Sequence, residues 1–359
     1  RGRLVAAGRD RARTAEVLTA LAETCAADDV RAYALFKAGR ALHQSDRDAE
    51  ALVLYERLAR DIPLHRLADD AVIYAAALDR DAGRLESLRA RLASVPVRHP
   101  EGDMRNEALF LLGFEAYGRG MFAEALTHFD AARAIPETAE DVLGRAAYWY
   151  ARTLTELARL DEAALAYEGV VNGYPLSFYA QQALARLEAS SPARAAAMRA
   201  AMPTDAGEPL VFDATDGLDL GAATAIGELM IVGALDEAAR ELSAMGAFDD
   251  DAPSAELWLA ASLYEATGHA NEAVRLLRRR LETYRTAAPV GTLRTMWRIA
   301  YPRAFAPLIE DAAARESVPS ALVRAIAREE SSFDPTAVSH AAAYGLIQIL
   351  VPTARGYRQ

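Results

Sequence analysis

Cysteine is almost absent from these 359 residues: Cys25 stands alone, so no disulfide can form within the chain and the redox compartment stays open. A single helix-borne cysteine is ordinarily a packing residue. Long apolar runs are missing as well. No stretch approaches the roughly 18 to 20 consecutive apolar residues that a membrane-spanning helix needs, which excludes a helical membrane span. There is no basic excess: 51 Asp and Glu face 40 Lys and Arg, and a net charge of -11 repels a nucleic-acid backbone, so nucleic acid is not expected as a partner. The six histidines, His43, His65, His99, His128, His269 and His340, show no zinc-ligand spacing. With no glycine-rich phosphate loop and no nucleophile elbow either, neither a metal nor a cofactor is expected. The chain opens at Arg1, without the charged start and apolar stretch of a secretion signal, so its location has to follow from its function.

What is abundant is alanine. Apolar residues make up 52% of the sequence and charged residues 25%, spread evenly instead of gathered into tails, the composition of an Ala-rich helical protein. The length predicts two or three domains. Units of about 35 to 40 residues recur through the first 300, which is the mark of a repeat architecture. Several contain a Gly or other small residue followed by Glu-Ala or a near equivalent: GRLESL from Gly83, GMFAEAL from Gly120, ARLDEAA from Ala158, GALDEAA from Gly233 and GHANEAV from Gly268. SDRDAEAL, ending at Leu52, is a looser copy. A proline follows the glutamate by one helix length in three copies, from Glu50 to Pro63, Glu124 to Pro136 and Glu162 to Pro175, and proline ends helices. Each unit therefore reads as helix, tight turn, helix, with the alanine of Glu-Ala where two backbones cross closely. Stacked pairs of this kind form a TPR-like solenoid, which by itself suggests an interaction scaffold.

The pattern breaks between Pro203 and Gly221, where Pro, Gly and Asp accumulate in a loop. Its Asp213 and Asp216 lack the spacing of a calcium loop. FDDDAP from Phe248 reads as a loop whose acids cap the next helix. From Trp297 the character changes. Val318-Pro319-Ser320 predicts a helix start, an apolar face follows through Leu322, Val323, Ile326 and Ala327, and Pro335 predicts a helix end near Ser331 or Ser332. That leaves Glu329 and Glu330 in the last turn, beside the negative end of the helix dipole. Burial there under apolar residues such as Phe333 would favour the protonated form that a glycosidic general acid requires. Spacing alone does not choose between the two glutamates. Asp334 reads as a turn residue.

This last segment resembles the start of the lysozyme-like domain of the soluble lytic murein transglycosylases. The resemblance rests on Arg328-Glu329-Glu330-Ser331, Phe333, Pro335, Ser339, Ala343, Gly345-Leu346, Gln348 and Thr353-Ala354, which follow the family's order without a gap. WRIAYPRAF resembles the approach to that domain, and YPLSFYAQQALARL from Tyr174 a Tyr-rich helix start within the family's superhelix. The resemblance implies an all-α fold: a superhelical repeat domain over 1–203, further repeats or a linker domain over 204–298, and the first part of the lysozyme-like domain over 299–359. That domain would stop short of completion at Gln359. It also implies Glu330 as the catalytic acid/base, Ser331 as its orienting neighbour, and Gly345 and Gln348 at the glycan. Departures from the family pattern are Glu329 for Gln, His340 for Pro, Ala342 for Gly and Ile347 for Met, and the proline of ILVPTA, Pro352, stands one place later than is common. Ala342 is the notable one, because a position needing positive φ strains alanine.

The function so implied is cleavage of the β-1,4 bond between N-acetylmuramic acid and N-acetylglucosamine, with the sugar's own C6 hydroxyl closing a 1,6-anhydro end. A single carboxyl can serve such an intramolecular attack. Peptidoglycan strands would be the partner, with proteins of cell-wall synthesis or division as companions, and the periplasm would be the location. Two other functions fit the same residues: a non-catalytic repeat scaffold whose degenerate lysozyme-like domain holds glycan or protein, and a hydrolase of goose-type lysozyme character.

Overall fold

The computed structural model describes residues 10–137, 142–211, 219–247, 249, 252–280, 284 and 287–357. Among them, regular structure is helical except for one two-stranded ribbon, as the all-α expectation requires. Among the described residues, no helix is long and apolar enough to cross a membrane. Asp213, Asp216, Phe248, Asp250 and Asp251 lie outside the described residues, so the loop expectations for them have no structural counterpart.

The chain divides into two compact units. The first holds 1–172 and 176–198, the second 173–175 and 199–359. In the first, helices α1 (Arg11–Thr24), α2 (Asp28–His43), α3 (Asp48–Asp61), α4 (Leu67–Asp81), α5 (Leu85–Arg98), α6 (Arg105–Gly118), α7 (Phe122–Arg133), α8 (Arg145–Glu156), α9 (Leu160–Gly173) and α10 (Phe178–Ser190) succeed one another through short turns. Helix α11 (Pro192–Ala200) follows. Helices α3, α7 and α9 stop within three residues of Pro63, Pro136 and Pro175, as the proline spacing predicts.

The recurring small residue has one conformational job. Gly83, Gly120, Ala158, Gly233 and Gly268 all have positive φ, and so does Asp46 in the looser copy. The residue after each sends its N–H back five positions, as in Met121 to the Ala116 carbonyl and Arg159 to the Leu154 carbonyl, both at 2.9 Å. This hydrogen bond satisfies a helix-end carbonyl and reverses the chain into the next helix. The alanine of Glu-Ala is then buried: Ala51, Ala125, Ala163, Ala238 and Ala273 all lie in the core. Facing helices approach so closely that a Cβ on Gly39 would come within 2.7 Å of the Tyr55 ring, and one on Gly113 within 2.8 Å of Phe129. Both pairs are sixteen residues apart, so the same contact recurs in two of the repeats.

The second unit repeats the scheme with α12 (Leu220–Ile231), α13 (Leu235–Ala244), α14 (Ser254–Ala266) and α15 (Ala270–Arg280), then α16 (Gly291–Ala300). Its core gathers Ile226, Leu242 and Leu263 at one end and Trp258, Leu277, Tyr284 and Ile299 at the other. The proline-rich break is fastened here: Asp205 accepts from the Gly207 and Gly291 N–H groups at 2.9 and 3.0 Å and from Arg294 at 3.2 Å. The unit ends with α17 (Ala306–Arg315), α18 (Ser320–Ser331), the ribbon β1 (Ala343–Tyr344) and β2 (Ile349–Leu350), and α19 (Val351–Gly356).

Candidate functional site at the end of helix α18

Helix α18 begins directly after Pro319 and ends at Ser331, the limits that the flanking prolines predict. It is closed by two successive left-handed residues, Ser332 at φ 54° and Phe333 at φ 65°. Their N–H groups return to the Arg328 and Ala327 carbonyls at 3.0 and 3.2 Å. Phe333 is held in this conformation by burial against Val274 and Ala327.

Geometry separates the two candidate glutamates. Glu329 is engaged by two guanidinium groups, Arg328 at 2.8 Å and Arg278 at 2.5 Å. Glu330 is exposed, and among the described residues no cation, N–H or O–H contacts its carboxyl. One acid is committed to holding the helix end, and its neighbour is free for a ligand. The expected apolar cover differs, however. Phe333 packs into the core instead of over Glu330, so the described residues leave that carboxyl in water. The helix's apolar face is likewise open, with Leu322 52% and Ile326 42% exposed.

Ser331 is buried, and its hydroxyl has two carbonyl neighbours, Ala327 at 3.0 Å within the helix and Leu346 at 2.9 Å in the ribbon turn. It therefore pins the turn that carries Gly345 and Gln348 against the residue next to Glu330. That turn is built from strained and cross-tied backbone. Ala342 has φ 58°, Gly345 φ 75° and Gln348 φ 47°. The Gly345 N–H donates to the Ala337 carbonyl at 2.9 Å. A Cβ at Gly345 would approach the Pro335 carbonyl oxygen no nearer than 3.7 Å, so conformation and not space asks for glycine. The Gln348 side-chain amide donates to the Ala337 and Gly345 carbonyls at 3.1 and 2.9 Å, which commits its nitrogen to the turn and leaves its oxygen available. Ser339 closes the other side, its hydroxyl oxygen accepting from the Ala341 and Ala343 N–H groups at 3.2 and 3.1 Å.

Asp334 is a turn residue, as expected: its carboxylate accepts from the Thr336 hydroxyl and N–H at 2.7 and 2.8 Å and pairs with Arg275 at 2.9 Å. The Thr336 hydroxyl and N–H, together with Arg275, hold this carboxyl below its usual range. No second free carboxylate therefore follows Glu330 in this turn.

Sequence patterning missed the positioning residues. Arg275 and Arg278 project from α15, the last repeat helix, onto Asp334 and onto Glu329 with the Arg328 carbonyl. Arg328 is itself buried, lying 4.1 Å over the Tyr301 ring, and Tyr301 stacks on Trp297 at 5.1 Å. The only advance sign was the three-residue spacing of Arg275 and Arg278, which puts both on one helix face. Elsewhere, Asp69, Asp70 and Asp103 bring carboxylate oxygens within 4.8 Å of one another. Asp69 already accepts from the Asp70 and Met104 N–H groups, so this trio serves a helix junction.

Helical pairs followed by a capped helix and a short antiparallel ribbon define, among the described residues, an all-α repeat protein with a distinct final segment. Residues 307–359 match the family model of the transglycosylase SLT domain. No curated protein matches the chain in sequence. Among solved structures, an inactive mutant of the lytic transglycosylase Slt from Pseudomonas aeruginosa shares the fold with a TM-score of 0.52 and 19% identity, over 99% of this chain and 56% of that one. The 70 kDa soluble lytic transglycosylase of Escherichia coli gives 0.49 and 18%, over 98% and 52%. The same-sized enzyme in complex with bulgecin A gives 0.47 and 18%, over 95% and 50%. This chain thus spans little more than half the length of these proteins. The SLT-domain match covers residues 307–359, and over the rest of the chain the likeness to lytic transglycosylases is one of fold.

Proposed function

We propose that the protein cleaves the β-1,4 bond between N-acetylmuramic acid and N-acetylglucosamine in peptidoglycan, leaving a 1,6-anhydro end, with Glu330 as the single acid/base. The observation that carries this is the contrast at the end of α18: Glu329 is bound by two arginines while Glu330, one residue on, has no partner among the described residues. In the first step Glu330 gives its proton to the glycosidic oxygen as the C1–O bond breaks, and the substrate's acetamido oxygen bonds to C1. In the second, the C6 hydroxyl displaces that oxygen from C1, and the Glu330 carboxylate takes the hydroxyl proton. The nucleophile is tethered, and tethering is worth a very high effective concentration, so no second carboxylate is required. The commitment of Asp334 to Thr336 and Arg275 agrees with this economy.

Ser331 acts by fixing the ribbon turn to the helix end. Gly345 and the Gln348 amide oxygen supply backbone approach and a hydrogen-bond acceptor for the glycan. A wall-cleaving enzyme of this kind works in the periplasm, on glycan strands, alongside proteins of wall synthesis or division.

Mass spectrometry of purified peptidoglycan treated with the full-length protein tests the reaction. Anhydro-ended muropeptides are expected from the wild type. The Glu330→Gln variant should lose activity by about 10²- to 10⁴-fold, the usual contribution of a positioned acid/base. Reducing-end products would instead make it a hydrolase. No product from a well-folded wild type would leave it a glycan- or protein-binding scaffold.

A further inference from the structure

A second site, separate from the helix-end glutamate, lies within the second unit. A cleft of about 410 Å³ is lined by Leu210, Ser262 and Glu265 of α14, and Thr295, Arg298 and Ile299 of α16. Its size is that of a small-molecule site. Two helices face it with the same device, a hydroxyl and a charged residue three positions apart, which puts each pair on one helix face.

The donors and acceptors are distributed in an informative way. The Ser262 hydroxyl donates to the Trp258 carbonyl at 2.8 Å, and the Thr295 hydroxyl donates to the Glu208 carbonyl. A carbonyl can only accept, so both hydroxyl hydrogens are spent, and each oxygen offers the cleft lone pairs alone. With the Glu265 carboxylate they make three acceptors. Three acceptors are what an ammonium group, with its three N–H donors, requires. Arg298 supplies the opposite chemistry, a fork of donors that matches a carboxylate. Glu265 and Arg298 are exposed, and among the described residues neither has an ion-pair partner, so the two opposite charges line one cleft without closing on each other.

We infer that this cleft binds a small zwitterion, an amino acid or dipeptide with a free ammonium and a free carboxylate. Ser262, Thr295 and Glu265 take the ammonium, Arg298 takes the carboxylate, and Leu210 and Ile299 cover the carbon between them. The site does not depend on glycan cleavage and is tested without it.

The test is isothermal calorimetry on the full-length protein with dialanine, N-acetyl-dialanine and dialanine amide. Dialanine should bind, and each blocked analogue should bind at least about tenfold more weakly, the worth of one charge-assisted contact. Arg298→Ala should bind dialanine and its amide equally, whereas Glu265→Gln should bind dialanine and its N-acetyl form equally. Both side chains are exposed, so the variants should keep the wild-type circular dichroism. Equal binding of all three probes, no dialanine binding to the wild type, or unchanged preferences in the variants would each overturn the site. None of these outcomes bears on whether Glu330 cleaves glycan.

Discussion

Left-handed backbone gathers at the residues around the end of α18: Ser332, Phe333, Ala342 and Gln348 all have positive φ, with Gly345 among them. For an L-residue other than glycine this conformation costs roughly 1–2 kcal/mol, and such strain concentrates at functional sites. Phe333 is compensated by burial against Val274, and Gln348 by two hydrogen bonds from its amide. Ala342 is exposed and has no side-chain group with which to offset its strain. Replacing it with glycine removes the strain but admits more freedom in the unfolded chain, so Ala342→Gly should stabilise the protein by about 1 kcal/mol. A melting temperature about 2 to 4 °C higher is expected in calorimetry, and an unchanged or lower value would show that the turn tolerates alanine without strain. At this scale the sequence was half legible. The departure from the family's glycine marked Ala342 as a strained position, but nothing in the spacing foretold positive φ at Phe333 or Gln348, because both are imposed by tertiary contacts.

Between elements, the decisive contact is the hold that α15 keeps on the end of α18. Arg278 reaches Glu329 and the Arg328 carbonyl, while Arg275 reaches Asp334 on the far side of the cap. Partly exposed pairs of this kind contribute about 0.5–1 kcal/mol each, and the two flank the turn that bears Glu330. Removing both with Arg275→Ala and Arg278→Ala should loosen this helix end without unfolding the repeats. Hydrogen exchange at 328–334 should quicken about 5- to 30-fold, following the roughly 1–2 kcal/mol lost with the two pairs, while exchange in α6 and α7 stays as it was. Equal exchange in variant and wild type would mean that Phe333 burial alone fixes the cap. The helices themselves were legible because their evidence is local: Pro319 and Pro335 bracket α18, and a small residue with positive φ ends the first helix of each repeated pair. The difference between Glu329, which is paired, and Glu330, which has no partner among the described residues, was not legible from spacing. It depends on Arg278, 51 residues earlier in the chain, and no periodicity reaches that far. Periodicity also overstated burial, since it marks which face of α18 is apolar but not what lies against Leu322 and Ile326.

At the scale of all 359 residues, net charge bears on how the proposed substrate is met. At -11, with a pI near 5.2, the protein carries a negative field at neutral pH. Under the proposed function, the carboxylates of peptidoglycan stems have the same sign, so encounter with a strand is opposed at long range, and contact at the Glu330 turn would rely on short-range groups: a carboxyl, a backbone glycine and an amide. The range of the repulsion is set by salt, falling from about 30 Å at 0.01 M to about 8 Å at 0.15 M. Raising salt across that interval should therefore speed solubilisation of sacculi at low substrate, through kcat/KM, and leave the rate at saturating substrate nearly unchanged. A steady loss of rate with salt would mean instead that a local basic patch steers the strand, and charge reversal of exposed arginines would then find it. The same titration separates the two sites. Dialanine has no net charge, so its affinity for the Glu265 and Arg298 cleft should weaken as salt screens both contacts, the opposite direction from the glycan.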